Sequence, residues 1–276
     1  MVASIGELID WLEAWANPAW QESWDNSGWQ VEPGVLDQPA AVLVCLTPTL
    51  AVMEEALALR DRGIEINLIL AHHPLIFTPL KSVTQGHPVG AIVRLAIHYG
   101  IGVYSAHTNF DQVPDGTADV LAQVLELQAP EPVVPTQSGW GYGRVGNLPS
   151  PTSLEDLLRN IQVALTPPRL LYSPAARLDQ RISRMAVLGG SGASFLEAVA
   201  QTGAQAYLTS DCKFHQFQEG RDRNLVLIDA GHYATERPAC ARLVERLLQQ
   251  GASWAQLSDR DEDFRQFFDW DEGAMR

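Results

Sequence analysis

The sequence predicts an α/β fold: two units, each built on mainly parallel sheets with helices packed on them. Strand-sized apolar runs alternate with helical stretches from residue 41 onward, and the series breaks once, at a proline-rich stretch. Polar and ionisable residues gather just after the apolar runs. At 276 residues the chain is long enough to bury two ordinary cores.

A helix is expected over residues 4–16, where Ser4 and Glu7 have capping-box spacing and Ile5, Leu8, Ile9 and Leu12 recur at helical intervals. A polar loop with Trp24, Asp25, Asn26, Ser27 and Gly28 follows. Next comes strand 41–46, helix 48–60, strand 66–71, helix 87–99, strand 101–106 and helix 117–127, completing an N-terminal unit over 1–127. Residues 128–152 carry five prolines and several glycines, so they predict a linker or short irregular excursion. A second unit, 153–250, repeats the alternation with helix 153–165, strand 185–189, helix 193–203, strands 205–209 and 225–229, and helix 236–249. Residues 251–276 form a tail in which Phe264, Phe267, Phe268 and Trp270 mingle with carboxylates; a peripheral appendage without chemistry is expected there.

Composition narrows the function. The formal charge is −14 and no cluster of Lys or Arg occurs, which disfavours nucleic acid as a partner. Apolar runs such as NLILA and LVLIDA are far shorter than the roughly 18 residues of a membrane span. The N-terminus lacks the basic start and cleavage pattern of a secretory signal, so a cytoplasmic location is expected. Cys45, Cys212 and Cys240 are too scattered for a disulfide framework or a thiolate metal site.

What stands after each strand carries the chemistry. NLILA runs into His72 and His73; GVYSA into His107 and Asp111; AYLTS into Asp211, Lys213 and His215; LVLIDAG into His232 and Glu236. In open parallel sheets such loops emerge on one edge, where ligands bind. Imidazole and carboxylate suit zinc, iron or manganese without any thiolate. The set His72, His73, Asp111, His232 and Glu236 brings a charge of about −2, against +4 for two divalent ions, with Glu236 the natural bridge. Thr235 and Pro238 predict a helix beginning at Glu236, with His232 in the loop before it. Plainer roles fit the same residues: hydrogen-bonded histidines, turn-forming Asp111, and Glu236 as a favourable charge at a helix start.

These same segments resemble one family. Trp24-Asp25-Asn26-Ser27-Gly28, LILAHHPLIF (68–77), SAHTNFD (105–111), GGSG (189–192), SDCKFH (210–215) and DAGHYATE (229–236) are similar to the NGG-one-interacting factor three-like family, whose members also carry the name of a second type of GTP cyclohydrolase I. The resemblance spans roughly residues 1 to 250. It implies a dinuclear metal site of His72, His73, Asp111, His232 and bridging Glu236, two interlinked α/β domains with 230–250 contributing to the shared site, and a homohexamer built as a trimer of dimers. Two departures stand out. Relatives commonly end the first long strand Asp-x-Thr, whereas Cys45 stands here at the acidic position; and some relatives carry a long inserted domain, for which this chain has no room.

The resulting expectation is a metal-dependent hydrolase-like enzyme acting on GTP, another nucleotide or a phosphorylated small molecule. His107 or His215 would pass protons. Lys213 and the backbone N–H groups of Gly189, Gly190, Ser191 and Gly192 would receive a small anion, although that glycine turn serves equally as a plain strand-to-helix joint. The alternative is a non-catalytic metal-binding regulatory protein assembled as a ring.

Overall fold

A computed structural model describes residues 2–137, 140–173 and 177–268. Helix α1 (Ile5–Trp15) opens the chain behind the expected capping box: Ser4 Oγ accepts from Glu7 N–H at 3.2 Å, and Ser4 N–H donates to Glu7 Oε2 at 2.8 Å. The first sheet holds β1 (Gly28–Val31), β2 (Ala41–Cys45), β3 (Leu68–Ala71), β4 (Gly102–Ser105) and β11 (Trp254–Leu257) in the order β1-β4-β3-β2-β11. All pairs but β1–β4 are parallel. Helices α2 (Leu50–Asp61) and α3 (Pro88–Tyr99) make the crossovers. Every residue of β2, β3 and β4 is buried, because both faces are covered, and that is why these strands read as unbroken apolar runs.

The second sheet runs β5-β6-β8-β9-β10-β7. Its centre, β8 (Arg181–Val187), β9 (Ala206–Thr209) and β10 (Val226–Asp229), is parallel, while β5 (Gln128–Gln137), β6 (Trp140–Ser153) and β7 (Leu171–Tyr172) pair antiparallel. Residues 128–152 are therefore not a linker. They form a β-ribbon that extends the sheet, and Pro130, Pro132 and Pro135 are tolerated because β5 lies on the edge, where a missing N–H costs no internal ladder bond. The sheet is mixed rather than mainly parallel for the same reason.

Two short helices, α4 (Thr108–Gln112) and α5 (Thr117–Val124), follow β4; α6 (Leu154–Leu165), α7 (Leu196–Gln201) and α8 (Phe214–Asp222) accompany the second sheet. Helix α9 (His232–Gln249) leaves β10 of the second sheet, yet buries Ala239, Cys240, Leu243 and Leu247 against the first, in a core shared with α1, β2 and β3. The two sheets are thus joined by a helix that belongs to both cores. The tail is no mere appendage: β11 pairs with β2 in parallel register, Leu257 beside Val44. Among the described residues no helix is long and apolar enough to cross a membrane. Trp270 of the expected tail lies outside the described residues.

Candidate metal centre

Three strand ends deliver the site. Parallel pairing continues one step past β3, with His72 N–H donating to Cys45 O at 3.1 Å and His73 N–H to Leu46 O at 2.8 Å, so adjacent imidazoles leave the sheet edge together. Past β4 the chain turns at His107 into α4, which carries Asp111. Past β10, Gly231 at φ 85° caps α9, which begins at His232, four residues earlier than Thr235 and Pro238 suggested. The Thr235 hydroxyl donates to Gly231 O and accepts the Gly190 N–H instead of capping, and Pro238 falls inside the helix. His232 and Glu236 consequently lie four apart on one helical face.

Within this pocket Glu236 presents its two oxygens to two different groups. Oε2 is 3.0 Å from His73 Nε2 and 2.9 Å from His232 Nε2, and these two nitrogens are 3.3 Å apart. Oε1 is 3.8 Å from His72 Nε2, which lies 3.5 Å from Asp111 Oδ1. His72 Nε2 and Asp111 Oδ1 are buried and lack any hydrogen-bond partner, a costly state for polar atoms unless something else satisfies them. Nitrogen ligands about 2.0–2.1 Å from a tetrahedral ion stand about 3.3–3.4 Å from each other, which matches the spacing of His73 and His232. The donor set, its spacing and its orphaned atoms fit a site able to hold a divalent cation.

Each imidazole is also turned the right way. His72 Nδ1 bonds Ala106 O at 2.8 Å, His73 Nδ1 bonds Thr47 Oγ1 at 2.8 Å, and His232 Nδ1 bonds Asp211 Oδ2 at 2.6 Å, so every Nε2 faces the pocket. Glycine is required opposite: a Cβ on Gly190, at φ 65°, would fall 2.0 Å from Glu236 Oε1. The electrostatics agree. Burial opposes charge on His72, but Asp111 and Glu236 overcome it and raise its pKa to about 9; His232 is likewise raised to about 10 by Asp211 and Glu236 despite burial. Burial lowers the pKa of His73, with neighbouring imidazoles adding to the effect, and raises that of Asp111. Buried Glu236 is held well below the usual carboxylate range by its three histidines. The pocket is built to hold positive charge.

His107 faces the same space from the other side, its ring centroid 5.2 Å from that of His72 and 5.6 Å from that of His73. Its Nδ1 bonds the Asp25 carboxylate at 2.7 Å. Asp25 also accepts from the Thr108 N–H and hydroxyl, and these bonds hold its pKa low although burial pushes the other way. Sequence reasoning quoted Asp25 only as part of a motif and gave it no task. It also left Thr47 and Asp211 without one, since an outer partner shows no spacing of its own.

Above the ligands opens a cavity of about 740 Å³. Trp24 and Phe77 form one aromatic wall, their centroids 6.1 Å apart, and stacked Tyr142 and Phe195 form another. Lys213 and His215 are not part of the lining; both are exposed at the start of α8. Nor is the glycine turn free to take an anion through all its amides, because Gly190 N–H is engaged by Thr235 Oγ1 and Gly192 N–H by Thr209 Oγ1, each at 3.0 Å.

Known proteins now place the chain. A family model described as Duf34/NIF3 (NGG1p interacting factor 3) matches residues 3–258. The chain belongs to the Duf34/NIF3 family. A Nostoc sp. protein named GTP cyclohydrolase 1 type 2 homolog is 66% identical over 264 residues, covering 96% of this chain and 98% of its own. Among solved structures, a Bacillus cereus protein related to NIF3 shares the fold at a TM-score of 0.85 and 21% identity, over 97% of this chain and all of its own. Reduced HcgD from Methanocaldococcus jannaschii, at 28% identity, gives a TM-score of 0.78 over 93% of this chain and 98% of its own. The Duf34/NIF3 assignment agrees with the resemblance drawn from the AHHPLIF and DAGHYATE segments.

Proposed function

We propose that this Duf34/NIF3 protein is a dinuclear metal-dependent hydrolase whose substrate is a small molecule with a flat ring. The single observation that carries the reading is the division of Glu236: one oxygen faces His73 and His232, the other faces His72, with orphaned Asp111 Oδ1 beside that imidazole. His72, Asp111 and Glu236 Oε1 would hold one ion, and His73, His232 and Glu236 Oε2 the other. A bound divalent pair supplies Lewis acidity and lowers the pKa of water at the site. The chain's own residues do the rest. Asp25 fixes the His107 ring by accepting at Nδ1, leaving Nε2 to give or take a proton inside the cavity. Trp24, Phe77, Tyr142 and Phe195 offer faces for a planar ring and keep water from it. Among the described residues no Lys or Arg lines this cavity, so a phosphate on the substrate would be met by the ions and not by one of their basic side chains.

The name of the Nostoc relative makes GTP the first compound to try, with other nucleotides and phosphate monoesters beside it. The homohexamer and the cytoplasmic location belong to the same proposal, checked by light scattering and by cell fractionation. The deciding experiment is turnover of these compounds by metal-loaded protein and by the His72→Ala, Glu236→Ala and His107→Ala variants. Turnover abolished in the first two and slowed about 10²–10⁴-fold in the third supports the reading. Two ions per chain with no turnover on any compound would favour the non-catalytic alternative.

A further inference from the structure

Beyond β11 the chain does not leave the body of the protein. Ser258 N–H donates to Val44 O at 2.7 Å, and the backbone N–H groups of Asp259 and Arg260 donate to Glu55 at 3.1 and 3.3 Å. Asp261, nearly buried, then turns its carboxylate onto the end of β2: Oδ2 accepts from Leu46 N–H at 2.9 Å and Oδ1 from Thr47 N–H at 3.4 Å. Strand β2 ends at Cys45, and neither it nor the Leu46-Thr47 that follow carries an acidic side chain, so this carboxylate comes from the far end of the sequence. The Asp261 carbonyl is held by the Tyr233 hydroxyl at 2.9 Å. Four residues later Arg265 lies 3.5 Å from Asp211 Oδ1, its guanidinium packed where a side chain on Gly231 would have to go.

These anchor points share a property. Thr47 is the residue that orients His73, and Asp211 is the residue that orients His232. His73 and His232 are the two imidazoles on the Oε2 side of Glu236. On the other side, His72 is oriented by the Ala106 carbonyl, and among the described residues no hydrogen bond or ion pair joins residues 258–265 to Ala106 or Asp111. The segment therefore reaches one half of the centre and not the other.

We infer that residues 258–265 form a positioning strap for one of the two ion positions: Asp261 sets Thr47 and through it His73, while Arg265 sets Asp211 and through it His232. This rests on the dinuclear reading above. Partners that orient a ligand typically change metal affinity 10–100-fold when removed. Asp261 and Arg265 act one bond further out, so the lower end of that range is expected from each. The strap thereby makes occupancy of the second position depend on docking of the C-terminal segment, while the first position stays indifferent to it.

The test is a calorimetric titration of zinc into the metal-stripped full chain, with folding of each variant followed by circular dichroism. Wild type should bind two ions. Asp261→Ala and Arg265→Ala should each weaken one of the two by about 10-fold and leave the other within 2-fold. Thr47→Val should weaken the same ion, and the Thr47→Val/Asp261→Ala double variant should lose less than the product of the two single effects, because both changes act along one chain of contacts. Should Asp261→Ala not fold, Arg265→Ala, which alters a half-buried side chain outside the core, decides the matter alone. Two ions bound by the variants with wild-type affinities would overturn the strap and leave the dinuclear reading standing. No ion bound by wild type would overturn both, and equal weakening of both ions would reduce the segment to a general structural role and sink the inference.

Discussion

His73 and His232 point their Nε2 atoms at each other across 3.3 Å, and both point at the same oxygen of Glu236. Two imidazoles and a carboxylate so arranged do not satisfy one another: at most one of the facing nitrogens can donate to the other. Glu236→Gln keeps the shape but replaces one acceptor oxygen with a donor and removes the charge. Metal analysis after purification without chelator should then show fewer than one ion per chain, where wild type should show two.

Gly190 and Gly203 allow a controlled comparison, because both hold φ in the left-handed region, at 65° and 75°. Alanine at Gly203 meets nothing within 4 Å and should cost only the backbone preference, about 1 kcal/mol in thermal or urea unfolding. Alanine at Gly190 drives a methyl group onto Glu236 Oε1. A loss of several-fold or more in metal affinity should accompany its unfolding penalty of about 1–3 kcal/mol. Equal behaviour of the two variants would refute the close approach of Gly190 to the carboxylate.

Asp25 predicts a pH dependence with a definite sign. Its folded-state pKa is depressed: burial opposes this, but hydrogen bonds from His107, Thr108 and Asn26 prevail. A depressed carboxylate contributes stability that is present above its unfolded pKa of about 3.9 and is lost as pH falls toward the folded value. Wild type should accordingly exceed Asp25→Asn in Tm at pH 5 to 7, with the gap closing below about pH 4. A gap that widens on acidification contradicts the arrangement.

Removal of metal should lower Tm in a concentration-dependent way. Ions that bind only the folded chain stabilise it by about 4 kcal/mol at a thousandfold excess over Kd. Dialysis against chelator should reduce Tm by several degrees, and adding back zinc or manganese should restore it in proportion to the logarithm of concentration.

Much of the centre was legible because each candidate ligand stands within a few residues of the end of an apolar strand. His72 and His73 end β3, Asp111 lies just past β4, and His232 and Glu236 just past β10, so parallel topology alone carries them to one edge. Their outer partners had no such pointer. Asp25 meets His107 across 82 residues, and Asp261 meets Leu46 across 215, so neither pairing leaves a periodic trace. The crossover strands and helices of the first sheet were read close to their observed bounds. The ribbon of β5 and β6 was not, because prolines that would break a central strand are harmless on an edge. Helix α8 was overlooked since its nine residues bury only Gly220 and show no apolar stripe. Strand β11 escaped because a four-residue run, WAQL, is legible only once β2 is beside it.

One consequence follows from the path of α9. It carries His232 and Glu236 from the second sheet while burying its far half against the first, which supplies His72, His73 and Asp111. Neither half of the polypeptide would by itself supply a complete set of ligands for either proposed ion. A bound cation pair would act as a rivet through the seam, and any shear of one sheet past the other, even by the length of a single bond, would be felt first as a vacancy at the rivet rather than as damage to either core.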